Sequence, residues 1–528
     1  MKKILPLLVT ILCSTLLFSQ EYEISKSEIF KDKKKDSYLN FSVDDGAGGL
    51  ITIREFSGGF PIKTLKGYYI QHFDSALTLQ NEFTYEVDKN IIENAFVKNG
   101  QLHLIEFEKN RQEKSITYKV SSSDISEFNF SSKELLSISE DNIKQYFEIV
   151  VFPFFINNGL KQLDKDHLGE VVMSRNNSFF AINFDINNKD VETHKVFVFN
   201  DDFELVYDKF ITKNIKDRFF DYNSFEVSDE DGTVYFLGKS FENESRKRKK
   251  NGKTNYHFEL TKVNKNGQKT VSFKEDEKFI GSLSLVKKNN QLYCIGFYGD
   301  KKEFKYNGIA SYKLNPESLA ITKSKFNAFS EQFLSDKYGN NEAKKKRKGK
   351  KGIRNIDFKN IETLENGDLV INAEEYYITT HTVFNPNGGS YTYTVYHFDD
   401  IISLRISSEG DLIWARNINK RQTGFGNSSF TPITTGDITN LFINTSDKIK
   451  KLSGGRIRFG QTSDKKSNLY CVTISNDGNI DFKKLIDDKD SKVFYKVNSG
   501  IVSQNKDEVI FLGKKKKYSQ ILKIKIKN

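Results

Sequence analysis

Residues 399–420 read DDIISLRISSEGDLIWARNINK and contain the clearest structural unit of this chain. Residues 401–406 and 412–418 are apolar runs rich in β-branched side chains, which is typical of strands. The polar link between them contains Gly410, which can adopt the positive φ that a tight turn requires. The stretch therefore predicts a β-hairpin.

Strands of two kinds recur along the whole chain. A strand of the first kind is apolar on both faces, as expected for the middle of a covered sheet. These strands begin at Leu50, Leu102, Phe179, Val234, Leu292, Leu369, Leu441 and Val509. Strands of the second kind follow at residues 67–73, 115–120, 194–199, 256–263, 309–314, 401–406, 468–474 and 520–526. All but the last continue through a short link rich in Asn, Asp, Ser and Gly into another strand.

This repeat predicts an all-β protein. Phe and Tyr number 45 and 24, whereas Met and Pro number 2 and 6, a composition that favours strands over helices. A four-stranded unit repeated about eight times is typical of the blades of a β-propeller, with seven blades as the alternative count. Two packed β-sandwiches are the other possible architecture, but they do not explain why the last unit lacks a strand while residues 21–30 supply a spare one. We expect a ring closed by pairing of the N- and C-terminal strands, in a single domain at residues 21–528.

The first twenty residues predict export. Lys2 and Lys3 precede an apolar run at residues 4–18, and small or polar residues lead to Glu21, which is the layout of a signal peptide. No later apolar run approaches the length of a membrane span. The expected location is the periplasm, the cell surface or the extracellular space. Cys294 and Cys471 lie in strands of different repeats, which favours buried free thiols over a disulfide.

One face of the predicted disc carries the long links. Strands alternate in direction within a blade, so the links between second and third strands leave on the same face as the links between blades. The long links of these two kinds are residues 139–168, 240–255, 328–353, 376–397, 417–438 and 446–467. Loops of this length in a compact domain are usually functional or disordered.

The same kinds of link contain basic runs at residues 246–250, 344–351 and 514–517. An electropositive face could bind an anionic glycan, a lipid headgroup or an acidic protein, whereas nucleic acid is not expected for an exported protein. The alternative is that these runs are simply solvated loops. The candidate ligand-binding residues in them are Arg246, Lys247, Arg248, Lys344, Lys345 and Arg347.

The link at residues 376–397 is instead aromatic. Aromatic rings beside carboxylates line many sugar sites, since rings stack on sugars and carboxylates accept their hydroxyl hydrogens. Alternating Tyr is equally what an extended hairpin contains. The candidate residues are Tyr376, Tyr377, Tyr391, Tyr393 and His397, with Glu374, Glu375, Asp399 and Asp400 as acids if the protein is an enzyme.

No known catalytic motif is present. The seven His residues are scattered, and the sequence lacks CxxC, HExxH, GxSxG and Gly-rich phosphate loops, so we predict neither a metal nor a cofactor. The leading hypothesis is a binding or scaffold propeller that uses its long-looped basic and aromatic face. The alternative is a carbohydrate-active or other hydrolytic propeller enzyme, for which acids converging on the central channel would be evidence.

The blade pattern, the leader ending in Phe18, Ser19 and Gln20, and residues 399–420 together resemble uncharacterised, exported β-propeller-like proteins of Gram-negative bacteria. The resemblance covers nearly the whole chain after residue 20. It implies a propeller fold and export, and it carries no functional residues.

Overall fold

The structure is a computed structural model that describes residues 20–527, apart from 33–36, 60–63, 87–89, 145–168, 251–252, 276–277, 289, 301–304, 341–352, 385–389, 425–427, 447–448, 464–466 and 504. The predicted signal peptide at residues 1–20 therefore lies almost entirely outside the described residues.

The chain forms an all-β propeller of eight four-stranded antiparallel blades, so the predicted fold and the count of eight are confirmed. Strands β1 (Glu21–Lys26) and β2 (Phe30–Lys31) come first and belong to the last blade. Blades 1 to 4 follow in chain order: β3 (Ser37–Asp44), β4 (Leu50–Gly58), β5 (Thr64–Phe73) and β6 (Leu79–Glu86); β7 (Asn90–Lys98), β8 (Gln101–Asn110), β9 (Ser115–Asp124) and β10 (Ser131–Ser139); β11 (Glu170–Met173), β12 (Phe179–Asp185), β13 (Val191–Asn200) and β14 (Leu205–Lys216); β15 (Phe220–Val227), β16 (Val234–Phe241), β19 (Tyr256–Asn264) and β20 (Gly267–Phe273), with a small hairpin of β17 (Lys249–Lys250) and β18 (Lys253–Thr254) between β16 and β19.

Blades 5 to 8 complete the ring: β21 (Lys278–Lys288), β22 (Gln291–Asp300), β23 (Tyr306–Leu314) and β24 (Ile321–Ala328); β25 (Ile356–Thr363), β26 (Leu369–Phe384), β27 (Ser390–Ile406) and β28 (Leu412–Ile418), with β29 (Gln422–Thr423) beside β27; β30 (Phe430–Thr435), β31 (Ile438–Thr445), β34 (Asn468–Ile474) and β35 (Ile480–Ile486), with a hairpin of β32 (Lys450–Lys451) and β33 (Ile457–Arg458); and β36 (Phe494–Tyr495), β37 (Ile501–Val502), β38 (Glu508–Lys515) and β39 (Tyr518–Lys527). Helix α1 (Glu331–Tyr338) lies between blades 5 and 6, and short 3-10 turns occur at Glu140–Asn142, Asp217–Phe219, Ser453–Gly455, Asp488–Asp490 and Val497–Ser499.

The two ends of the chain close the ring, as the sequence predicted. Strand β1 pairs antiparallel with β39, with Glu21 opposite Lys527 and Lys26 opposite Leu522. Tyr22 anchors this strand, because its hydroxyl donates to Asn440 Oδ1 of blade 7 at 2.7 Å. The missing outer strand of blade 8 is thus supplied from the start of the described chain.

The core consists of apolar layers between neighbouring blades, and the central strands contribute most to it. Ile295 and Phe297 of β22 pack with Leu369 and Ile371 of β26, and all four side chains are buried. These strands are apolar on both faces because each face contacts an adjacent blade. Burying such side chains stabilises the fold by roughly 1.5–3 kcal/mol each.

A β-bulge recurs at the same position of the innermost strand in blades 1, 2, 4, 5 and 6. The register shifts between Leu39 and Phe41, Ile92 and Asn94, Tyr222 and Ser224, Ile280 and Ser282, and Phe358 and Asn360. A bulge adds one residue, bends the strand and redirects its side chains. The innermost strands line the channel, so the bulges set which side chains face it.

Two elements differ from the sequence prediction. Residues 417–438 were expected to be one long link, but β30 occupies Phe430–Thr435 and the link covers only residues 419–429. Pro432 makes this segment look like a loop, yet proline is tolerated in a strand at the edge of a sheet, where its missing N–H is not needed. Helix α1 lies inside the predicted link at residues 328–353, where the Ser330 hydroxyl caps it by accepting from Phe333 N at 3.2 Å.

The two faces of the disc differ as expected. The remaining long links join second to third strands or one blade to the next, so with alternating strand direction they emerge together; we call this the looped face. The opposite face, which we call the turn face, carries the shorter links between first and second and between third and fourth strands, such as residues 364–368 and 407–411.

Cys294 and Cys471 are both buried free thiols, which confirms the prediction against a disulfide. Among the residues that the structure describes, no helix is long and apolar enough to cross a membrane.

A buried charged cluster joins blade 8 to blade 1. Arg54 Nη1 lies 2.8 Å from Asp32 Oδ1, and the side chains of both residues are 1% exposed. Ser519 Oγ and Lys514 Nζ of blade 8 lie 2.9 and 3.4 Å from Asp32 Oδ2. Although burial opposes ionisation, Arg54 and Ser37 lower the pKa of Asp32, whereas burial lowers the pKa of Lys514 to about 8. Lys514 belongs to a predicted basic run, but the structure places it in this seam.

Candidate functional site

The most prominent feature of the looped face is the hairpin of blade 6. Strands β26 and β27 are 16 and 17 residues long, about twice the length of their neighbours, and they stay paired as far as Phe384 and Ser390. Cross-strand partners include Tyr377 with His397 and His381 with Tyr393. The predicted link at residues 376–397 is therefore a strand extension that projects beyond the blade.

Aromatic rings stack along one side of this hairpin. The Tyr377 and His397 rings lie 4.4 Å apart with an interplanar angle of 7°, and the His381 and Tyr393 rings lie 5.3 Å apart at 24°. Thr379 Oγ1 joins the two pairs, lying 2.8 Å from His397 Nε2 and 3.0 Å from His381 Nε2. We call Tyr377, Thr379, His381, Tyr393 and His397 the aromatic ladder.

The ladder is open to solvent at its outer end. Tyr393 is 44% exposed, and Ile378 on the other side of the hairpin is 49% exposed. The exposed Arg421 lies near the lower end, where its charge opposes the burial that raises the pKa of Tyr377. Tyr376 is not part of the ladder, because its ring packs 5.1 Å from Phe398 instead. Tyr391 belongs to β27, but its side chain lies outside the described parts.

Buried ion pairs fix the base of the hairpin to helix α1. Lys337 Nζ lies 2.6 Å from Glu375 Oε2 and 2.7 Å from Asp400 Oδ2. Burial opposes the charge on Lys337, but the two carboxylates outweigh it and raise its pKa; burial also raises the pKa of Glu375. Lys337 therefore stays an ammonium that bridges two of the predicted acids.

A second buried pair lies beside the first. Lys420 Nζ is 2.7 Å from Glu374 Oε1, and both side chains are 0% exposed. The other oxygen of Glu374 accepts from Ser429 Oγ at 2.7 Å, so this carboxylate connects β26 to the link before blade 7. Burial lowers the pKa of Lys420 despite the carboxylate. Asp399, the fourth predicted acid, accepts from the Tyr377 hydroxyl at 3.1 Å.

This arrangement makes a rigid base under an exposed aromatic surface. A glycosidase needs two carboxylates facing a common space, one of them to donate a proton. Here Glu374, Glu375 and Asp400 each bind a buried lysine, and Asp399 binds a ladder tyrosine. The geometry supports a structural role for the four acids better than a catalytic one.

The basic residues of the looped face lie in varied settings. Arg246 forms an ion pair with Asp221 and donates to the Arg218 carbonyl at 2.8 Å, so its charge is partly neutralised. Lys247 and Arg248 are exposed. Lys344, Lys345 and Arg347 lie outside the described residues.

Sequence reasoning missed a cavity of about 1320 Å³ in the central channel. Its wall is formed by the innermost strands of blades 6 and 7 and by the first strand and first turn of blade 8. It opens at the turn face beside Arg175 and Lys288. Its residues are far apart in sequence and no motif links them. Within the residues that the structure describes, no cluster of His, Cys, Asp and Glu could hold a metal ion.

Comparisons with known proteins find distant structural overlaps. Neither a protein-family model nor a curated protein matches the sequence. Prolyl oligopeptidase B from Galerina marginata overlays on 91% of this chain with a TM-score of 0.38 and 8% identity, and the chain spans 56% of the length of that enzyme. An exo-β-1,3-galactanase from Phanerochaete chrysosporium overlays on 83% of this chain and 100% of its own (TM-score 0.25, 11% identity). The WD40 domain of SCAP from fission yeast overlays on 96% of this chain and 98% of its own (TM-score 0.28, 6% identity). These overlaps are too poor to carry an argument about function.

Proposed function

We propose that this protein is an exported, non-catalytic binding propeller that holds an anionic glycan on its looped face through the aromatic ladder. Export is proposed from the leader-like residues 1–20. The observation that carries the binding site is the pair of stacked rings on a projecting hairpin whose base is fixed by buried ion pairs.

The chemistry of the ladder supports a sugar ligand. Stacked aromatic rings offer flat apolar faces to sugar C–H groups, and the imidazoles and Thr379 offer hydrogen bonds to hydroxyls. Arg421 adds a positive charge at one end of the ladder. Because the hairpin is held at its base, little conformational freedom is lost on binding.

The first test is retention of residues 21–528 on an immobilised anionic polysaccharide in a salt gradient. We expect the protein to be retained and to elute as salt screens the charged contacts. Tyr377→Ala combined with Tyr393→Ala removes one ring from each stack, and we expect it to elute at clearly lower salt. Its melting temperature is expected to fall only slightly, because Asp399 loses the Tyr377 hydroxyl. The matched control is Tyr518→Ala, which removes an exposed ring of blade 8 that is not part of the ladder.

A further variant separates the contribution of the charges from that of the rings. Changing residues 246–250 and 344–351 to Ser removes two of the basic runs. If this variant loses retention while the ladder variant keeps it, the ladder is not the binding site. Equal retention of wild type and ladder variant would contradict the proposal.

The hydrolytic alternative is tested in the same assay. Release of shorter sugars from the polysaccharide by the wild type, abolished by Glu375→Gln, would replace the proposal by an enzyme. We expect no such release, because the carboxylates at the hairpin base are bound to lysines.

A further inference from the structure

The channel cavity gathers cations from blades that are distant in the sequence. Arg175 lies in the first turn of blade 3, Lys288 ends the first strand of blade 5, and Lys506 lies in the first turn of blade 8. All three line the same cavity at its opening on the turn face. The ring therefore places three positive charges around one space.

The acids of the cavity mostly have partners of their own. Glu362 binds Lys506 at 2.7 Å and accepts from Asn360 at 2.7 Å. Asp437 lies 3.0 Å from the buried Arg405, and Asp507 lies 3.7 Å from Lys525. The fourth cation of the wall, Lys359, lies 3.4 Å from Asp357 and 3.5 Å from Glu374.

Among the described residues, two cations of this wall have no carboxylate within ion-pairing distance. Lys288 donates to the Thr363 carbonyl at 2.6 Å, a neutral acceptor that leaves its charge uncompensated. In the described parts of the chain, Arg175 has no hydrogen bond or ion pair. The exposed Glu365 is the one lining acid left to oppose them.

The pKa shifts of Lys288 and Glu226 agree with an excess of positive charge in the cavity. Burial, followed by the charges of Lys506 and Arg175, lowers the pKa of Lys288 in spite of Glu362 and Glu365. Glu226, near Arg175, has its pKa raised to about 7 by burial, so it is only partly ionised at neutral pH and compensates Arg175 incompletely.

We propose that the turn-face end of the channel binds the oxyanion of a small polar solute, a phosphate or a carboxylate, between Arg175 and Lys288. The side chains of Asn366 and Asn505 line the remaining wall, and their amides can donate to a polar body. Thr434 and Thr435 also line it, but their hydroxyls already bond to Thr439 and to the Lys506 carbonyl. The cavity is larger than most small-molecule sites, which leaves room for the rest of the solute. This site is on the opposite face from the aromatic ladder and independent of it.

The proposal is tested by isothermal titration of the protein with inorganic phosphate in one arm and glucuronic acid in the other. Binding in either arm that Arg175→Gln and Lys288→Gln each weaken about tenfold supports the site and identifies the anionic group. These two variants are chosen because, in the described parts of the chain, neither side chain lies within 4 Å of a carboxylate, so melting temperatures are expected to change little.

Lys323→Gln is the matched control, since it removes a charge of the outer strand of blade 5 that pairs with Glu409 at 2.6 Å. An equal loss in this control would mean non-specific attraction and would overturn the proposal. No binding in either arm, or unchanged binding in both channel variants, would overturn it as well.

Discussion

Lys420 and Glu374 show how much a single buried pair can matter. Both are fully buried 2.7 Å apart, so replacing Lys420 by Met leaves a buried carboxylate without its main partner. We expect Lys420→Met to lower the free energy of unfolding by about 3–5 kcal/mol in urea denaturation. Adding Glu374→Gln removes the stranded charge and is expected to restore part of the loss. The control Lys451→Met, at an exposed position, is expected to change little; a similar loss there would refute this account.

Glu226 is the opposite case, because the negative charge of its carboxylate destabilises the folded state. Burial raises its pKa from 4.5 to about 7, so ionisation costs stability as pH rises above 4.5. Glu226→Gln is therefore expected to be more stable than wild type at pH 8, by up to about 3 kcal/mol, and no more stable below pH 4.5. Melting temperatures measured across this range check the prediction, with the exposed Glu113→Gln as control. A pH-independent difference would contradict it.

Among the elements, the turn between β27 and β28 depends on Gly410. Its φ is +86°, and a Cβ there would lie 2.5 Å from Ser311 Oγ of blade 5. Gly410→Ala therefore combines backbone strain of about 1–2 kcal/mol with a contact that forces Ser311 to move. Gly454→Ala is the matched control, since its φ is +71° and no atom lies within 4 Å of the added Cβ. Thermal unfolding is expected to show a larger decrease in melting temperature for Gly410→Ala than for Gly454→Ala. Equal decreases would mean that the Ser311 side chain moves away from the added Cβ without cost.

The elements also show where sequence reasoning succeeds and where it fails. Central strands such as β22 and β26 were predicted because burial on both faces requires apolar side chains throughout. The innermost strand β30 falls inside the predicted link at residues 417–438. It contains Pro432, which is unfavourable within a sheet but is tolerated at the channel edge, where the strand has a hydrogen-bonded neighbour on one side only. The aromatic hairpin was visible in the sequence, but the partners of its acids were not. Lys337 reaches Glu375 and Asp400 from a different link, and no local pattern encodes that contact.

At the scale of the whole molecule, stability depends on the seam between blades 8 and 1. The pKa of Asp32 is lowered there from its ordinary value of 3.8, so the ionised carboxylate stabilises the folded state at pH values above 3.8. This stabilisation is lost as the pH falls through the lower pKa of the folded state. Asp32→Asn leaves the buried Arg54 without a counter-charge, and we expect a loss of about 3–5 kcal/mol at neutral pH. The difference from wild type should shrink in acid. Urea denaturation at several pH values tests this, beside Asp487→Asn, which alters a half-buried pair with Lys484. A loss as large in that control would argue against a special role for the seam.

The pairing of β1 with β39 also governs the order of events during synthesis. A ribosome makes Glu21 early and its partner Lys527 some five hundred residues later, so β1 waits unpaired while seven blades are made. Contacts that span such a distance form slowly, and an unpaired strand can meet the open edge of another chain in the meantime. When many chains mature together, exchange of this strand between two copies is therefore the error to which the ring is most vulnerable.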